Sequence, residues 1–299
     1  MKFSVSFLAT SIDQLPSPKQ YDQDAVEAIV FDREDLELAQ WNLIWENIEK
    51  AVKIYGGEQV SFHFPINDCN FVKDRFVRER LIEGLRRATD LNLRGVVIHP
   101  NQTEPELWSH VDFPAKRIQV VDVLLEIREK IKGKTWLGLE NMPVLDNDLK
   151  TMDPLFVFPC DFLILAETNI KVVWDVCHFA KTLAHVAEVV DGKQNLKYYP
   201  NIRQVGELDF LSIRDLIVHW HFSAFLGIAN PEKGTVSEEG VHPVKSTIGE
   251  SLYKKILKNI LETSSEDEHM VFEIQEKDYA SRIEVKETIK WARSHVCKS

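Results

Sequence analysis

The sequence predicts an α/β chain folded as a (β/α)8 TIM barrel, parallel and eight-stranded, with one domain over residues 1–299. Three observations predict it. Eight short apolar runs recur along the chain, helix-period segments separate most of them, and 299 residues is close to the roughly 250 that such a barrel needs.

The first run, Lys2 to Leu8, is followed by Ser11 to Asp24, where Pro16 and Pro18 predict a crossover with little helix before the second run, Ala28 to Phe31. Trp41, Ile44, Ile48 and Val52 stand at helical spacing ahead of the third run, Gln59 to Phe64, and Val77, Leu81, Leu85 and Ala88 do so ahead of the fourth, Gly95 to His99. Ile118, Val121, Leu125 and Ile131 predict another helix before the fifth, Trp136 to Glu140. The sixth and seventh runs are Lys171 to Asp175 and Leu216 to His221. Phe222 to Ile248 carries Gly227, Pro231, Gly234, Gly240 and Pro243 around Glu238 and Glu239, and reads as a long lid or binding loop after strand seven. Leu252, Ile256 and Ile260 predict a helix before the eighth run, Met270 to Ile274, and a closing helix follows near Ile283 to Val296.

Hydrophobic residues make up 44% of the chain, enough for a substantial core, and no apolar run approaches the roughly 18 residues of a membrane span. The first residues reach Asp13 too soon for a signal peptide, so the expected location is cytoplasmic, with no membrane partner. A net charge of −11 counts against a nucleic-acid ligand. Cys69, Cys160, Cys177 and Cys297 form no CxxC pair, which predicts reduced thiols and excludes a zinc ribbon.

In a parallel barrel the working residues stand at the carboxyl ends of the strands. Here strands three to eight finish with His63, His99, Glu140, Asp175, the pair His219 and His221, and Glu273. Any one of them alone is compatible with a satisfied core residue. Three carboxylates on one face would cost several kcal/mol each unless cations neutralise them, and a divalent metal does that. Imidazole and carboxylate together suit zinc, manganese, iron or cobalt. Glu140, Asp175, His219 and Glu273 make one ion site, and His63 and His99, with Glu140 bridging, make a second. His219 and His221 are two apart on a strand and face the same way, so either can bind metal while the other meets substrate; His219 is taken as the ligand. Asn141 faces oppositely and shapes its loop. Asp175 followed by His178 reads either as a helix cap with an unrelated histidine or as a strand-end ligand with a helix-start residue pointing back at it. His110, His185 and His269 read as surface or structural.

With these residues in hand, the chain resembles the xylose isomerase-like barrel superfamily, which contains sugar isomerases and epimerases and the endonuclease IV nucleases. Glu140, Asp175, His219 and Glu273 match the shared Glu, Asp, His, Glu metal set. Trp174-Asp175-Val176-Cys177-His178 is similar to the Asp-Thr-Cys-His signature of endonuclease IV, with Val176 in place of threonine. His63 and His99 are similar to that enzyme's additional ligands, and Ile248-Gly249-Glu250 to its Ile-Gly-Glu stretch. The Asp-x-His pair that precedes that stretch in the nucleases is replaced by Pro243 and Lys245, leaving His242 nearby, which argues against a third ion. The arginine of the ketose epimerases beyond the strand-seven histidine is also missing.

The resemblance implies a divalent-metal-dependent isomerase or epimerase acting on a sugar, sugar phosphate or related polyol through an enediolate, with one or two ions. Glu140 and Glu273 would be base and acid, and His178, His221 and His242 substrate contacts. The alternatives are an endonuclease IV-like phosphodiesterase, whose partner would be nucleic acid, an iron-dependent oxidative enzyme, and a non-catalytic binding barrel.

Overall fold

In the computed structural model, described over residues 1–100, 112–145, 155–194, 202–279 and 281–295, each apolar run becomes a strand. They are β1 (Lys2–Leu8), β2 (Ala25–Ile29), β3 (Val60–His63), β4 (Gly95–Ile98), β5 (Trp136–Glu140), β6 (Ile170–Asp175), β7 (Ile217–Phe222) and, last in the chain, β10 (His269–Phe272). All eight pair in parallel and close in the order β1-β10-β7-β6-β5-β4-β3-β2. The helices are α1 (Leu38–Tyr55), α2 (Arg75–Asp90), α3 (Phe113–Lys130), α4 (Val176–Val190), α5 (Glu250–Thr263) and α6 (Ile283–Ser294). The first crossover holds one short 3-10 turn, Ile12–Gln14, as its prolines predict.

The main core lies between strands and helices. Trp41 and Trp45 of α1 pack edge-on at 5.6 Å, and Trp45 meets Phe62 of β3 at 5.1 Å. On α3 the expected apolar stripe is partly out of phase: Val121 and Ile131 are buried as expected and Leu125 is half-buried. Ile118 is 49% exposed, and the buried set is Val120, Val121, Leu124 and Ile127. This helix is apolar on several sides, so spacing alone leaves its rotation open, and packing on the barrel chooses it.

The segment after β7 is more ordered than its glycines and prolines predict. β8 (Ala224–Leu226) and β9 (Glu238–Val241) form a separate antiparallel pair. Gly240 has φ +77°, and a Cβ there would lie 2.7 Å from the backbone nitrogen of Gln275, whose N–H donates to Gly240 O at 2.8 Å. Only glycine allows that approach, which ties the hairpin to the chain leaving β10.

Inside the barrel, below the strand ends, the packing is partly polar. Glu27, Ser61, His219 and His269 are all fully buried there, beside the indole of Trp136, 5.1 Å from the His219 ring. His269 opens β10, its ring 6.2 Å from that of His219, and so belongs to the barrel interior, neither helix nor loop. His185 of α4 is buried against the carbonyls of Lys181 and Ala229, which fits a structural role. His110 and Cys297 lie outside the described residues.

Candidate metal centre and active site

The carboxyl ends of β3 to β7 and of β10 bring His63, His99, Glu140, Asp175, His221 and Glu273 together, each within one residue of its strand's last position. Glu140 is the hub. Its Oε2 lies 3.1 Å from His63 Nε2, 3.4 Å from His99 Nε2 and 3.2 Å from His221 Nδ1, while Oε1 lies 3.3 Å from His178 Nδ1. His221 Nδ1 also faces Glu273 Oε2 at 3.4 Å and Asp175 Oδ2 at 4.0 Å.

The strand-seven residue in this cluster is therefore His221, whereas His219 belongs to a deeper candidate group with Glu27 and His221. Both face the barrel interior, but in the register of β7 on β6 His221 is level with Asp175, whereas His219 is level with Val173. At about 3.3 Å of rise per residue, that separates them by about 6.6 Å along the strand. His219 Nε2 instead lies 3.0 Å from Glu27 Oε2. His242 is corrected. It follows β9, its Nδ1 accepts from the Val244 N–H at 3.1 Å, and its ring packs 5.9 Å from Trp291, away from the cavity.

Asp175 carries both of its sequence readings. Its Oδ1 accepts the His178 N–H at 2.6 Å as the N-cap of α4, and its Oδ2 faces the cluster. Asn141 shapes the loop as expected. Its amide donates to Asp175 O at 3.1 Å, its Oδ1 accepts from Asp175 N at 2.7 Å, and its own carbonyl accepts from His178 Nδ1 at 2.8 Å. His178 thereby turns Nε2 outward, 3.7 Å from Glu239 Oε2 on β9. Glu239 also pairs with the ammonium of Lys181, one turn along α4 and fully buried. Sequence reasoning left Glu239 in an unassigned loop and missed Lys181. It also missed Glu27, although a lone acid within Ala25-Val26-Glu27-Ala28-Ile29 marks a buried charge.

Burial alone would raise Glu140, but His221, His99 and His178 outweigh it and hold its carboxyl well below the usual range. Burial pushes Glu273 up to about 7; His221 opposes the rise, and the charges on Glu140 and Asp175 add to it. Burial likewise raises Asp175 to about 6, against the pull of His178. Among the imidazoles, burial would lower His221 and His178, yet the carboxylates around them carry both well above the ordinary histidine value. Burial wins at His99 and lowers it. Glu140 is thus driven apart in acidity from Asp175 and Glu273 at the same strand ends.

The residues fit a divalent ion. His221 Nδ1 is buried and makes no hydrogen bond of proper geometry although three carboxylate oxygens lie within 4.0 Å. Asp175, His221 and Glu273 form one compact ligand group, His63, Glu140 and His221 another, Glu140, Asp175 and His178 a third, and Glu27, His219 and His221 a deeper fourth. The donors are imidazole nitrogen and carboxylate oxygen, the chemistry of zinc, manganese, iron or cobalt.

Above the cluster opens a cavity of about 490 Å³. Its lining combines Glu140, Asp175, Glu239 and Glu273 with Phe7, Leu8, Ile29, Phe31, Ile66 and Ile274. Among the described residues no lysine or arginine reaches its wall.

No family model and no curated protein sequence matches the chain. Solved structures do. A D-tagatose 3-epimerase-like protein is 20% identical, with 99% of this chain and 98% of that one covered at a TM-score of 0.57. Endonuclease IV from Thermus thermophilus is 15% identical over 98% of this chain and 100% of its own, with a TM-score of 0.60. The IolI protein with a bound zinc atom is 14% identical over 99% and 96%, with a TM-score of 0.55. At these identities the likeness is one of fold: the chain is a closed eight-stranded parallel barrel built like these three proteins.

Proposed function

We propose that this barrel is a divalent-metal-dependent isomerase or epimerase that moves a proton at the carbon beside the carbonyl of a small, uncharged hydroxy-carbonyl compound such as a sugar. The observation that carries the reading is the convergence of Glu140, Asp175, His221 and Glu273 beside a cavity of about 490 Å³, within the range of small-molecule sites. Asp175, His221 and the two glutamates would hold the ion, which, when bound, draws charge from the substrate's carbonyl and neighbouring hydroxyl and so acidifies the C–H between them.

The rest falls to the chain's own side chains. Glu140 and Glu273 reach the centre from non-adjacent strands, β5 and the end of β10, and so can address opposite faces of a substrate as base and acid. His178, held by Asn141 O with Nε2 facing the cavity, is placed to hold a substrate hydroxyl together with Glu239. Among the described residues no lysine or arginine lines the cavity, which favours an unphosphorylated substrate over one whose phosphate would meet Glu239 and the strand-end carboxylates. The similar structures include sugar epimerases, which supports the reaction class at the level of fold.

One observation favours a second reading. His63 and His99 both crowd Glu140 Oε2, which allows a second ion and with it phosphodiester hydrolysis. Incubating the zinc-, manganese- or cobalt-loaded protein in deuterium oxide with a panel of unphosphorylated ketoses and aldoses separates the two. The expected outcome is deuterium incorporation at the carbon next to the carbonyl, abolished in Glu273→Gln. Absence of exchange across the panel, together with cleavage of an abasic-site duplex, would overturn the first reading in favour of the second.

A further inference from the structure

Below the strand-end cluster a further carboxylate, Glu27 of β2, is fully buried in the barrel interior. Its Oε2 accepts from Ser61 Oγ at 2.7 Å and lies 3.0 Å from His219 Nε2, and its Oε1 lies 3.0 Å from His221 Nε2, a close contact that is not aligned as a hydrogen bond. The opposite ring nitrogen of His221, Nδ1, is the one that faces Glu140, Asp175 and Glu273.

A neutral imidazole has one N–H and one lone pair, on different nitrogens. Carboxylates flank both ring nitrogens of His221; an ion that takes the Nδ1 lone pair leaves the N–H on Nε2, where Glu27 Oε1 is the carboxylate oxygen facing it at 3.0 Å. That lone pair then points into the carboxylate cluster. Without Glu27 either tautomer would be accessible and the ring could tilt, so part of the population would present an N–H to the ion.

We propose that Glu27 is the positioning residue that fixes the tautomer and aim of His221 and thereby sets the affinity of the ion at the strand ends. His219 braces the same carboxylate from one pleat lower, and Ser61 supplies the third donor. This rests on the metal-binding reading of the site above it. Histidine ligands in metal sites commonly turn their second nitrogen to a carboxylate that holds its N–H, and loss of that partner typically weakens metal binding roughly 10–100-fold.

The test is competitive titration of zinc or cobalt against a chromophoric chelator, with the full chain stripped of metal and with bound metal counted by elemental analysis. Glu27→Gln is expected to lower affinity roughly 10–100-fold with the number of ions at saturation unchanged. His219→Gln, which keeps a donor toward Glu27, is expected to stay within about threefold of wild type. The visible spectrum of bound cobalt should keep its band positions in both variants, since no ligand is removed. A folded Glu27→Gln protein with unchanged affinity overturns the proposal. So does loss of one whole equivalent of metal with the rest bound as before, which would make Glu27 and His219 ligands of a deeper ion. Should Glu27→Gln fail to fold, Ser61→Ala removes one donor from Glu27 and leaves both imidazoles. A fewfold loss of affinity there supports the proposal, and no loss overturns it. A wild-type chain that binds no divalent ion defeats the reading of the site itself, a result distinct from all of these.

Discussion

At Glu273, the same burial that makes a useful acid or base also makes an unstable protein. Its carboxyl is pushed up to about 7 from an ordinary value of 4.5. Between those values the folded chain holds a proton that the unfolded chain has lost, so this group's contribution to stability falls as pH rises through that window. Its side chain is 23% exposed, which discounts the effect to the order of 1–2 kcal/mol. Chelator-treated wild type should therefore lose stability relative to Glu273→Gln between pH 5 and pH 8, as read from denaturant midpoints. Turnover of the metal-loaded variant should fall by roughly 10²–10⁴, the usual worth of a general acid or base. Equal pH slopes in the two proteins would mean that Glu273 ionises freely.

At the scale of elements, the β6–α4 junction carries the centre, because Asp175 ends the strand, caps the helix and faces the cluster at once. The two roles separate by substitution. Asp175→Asn keeps an oxygen for the His178 N–H, so its unfolding midpoint should stay near wild type while metal affinity drops. Asp175→Ala should lose the same affinity and about 1 kcal/mol of stability besides. If Asn and Ala are equally stable, the cap contributes nothing. The hairpin of β8 and β9 is the other element the site depends on. It delivers Glu239 to the cavity only because Gly240 lets the backbone approach Gln275. In sequence this stretch shows only loop-forming residues, since two short strands that pair with each other have no apolar alternation long enough to announce them.

At the scale of the whole molecule, the barrel gathers acids whose charges oppose one another until a cation joins them. A metal bound only by the folded chain stabilises it by mass action, about 2.7 kcal/mol at 100 times the dissociation constant. Zinc or manganese added to chelator-treated protein should raise its melting temperature in a concentration-dependent way. Glu140→Gln, which removes the hub of the cluster, should blunt the rise. A melting temperature indifferent to metal would contradict the proposed centre. No helix among the described residues is long and apolar enough to cross a membrane.

All eight barrel strands were readable from period and composition, because a strand buried on both faces is a continuous apolar run whatever its neighbours are. Five of the strand-end residues, His63, His99, Glu140, Asp175 and Glu273, were readable for a related reason, as a polar group that closes such a run emerges at the barrel mouth. The choice of His221 over His219 was not, although His221 stands nearer the end of its run, because depth in a barrel is set by the stagger of β7 against β6 and β10. Glu27, Lys181 and Glu239 needed the closed barrel too, since their roles come from partners between 34 and 194 positions away, brought close only by folding. Strand identity is a local property of the chain, whereas the partner of a buried charge is decided by register, closure and the hairpin laid across the mouth.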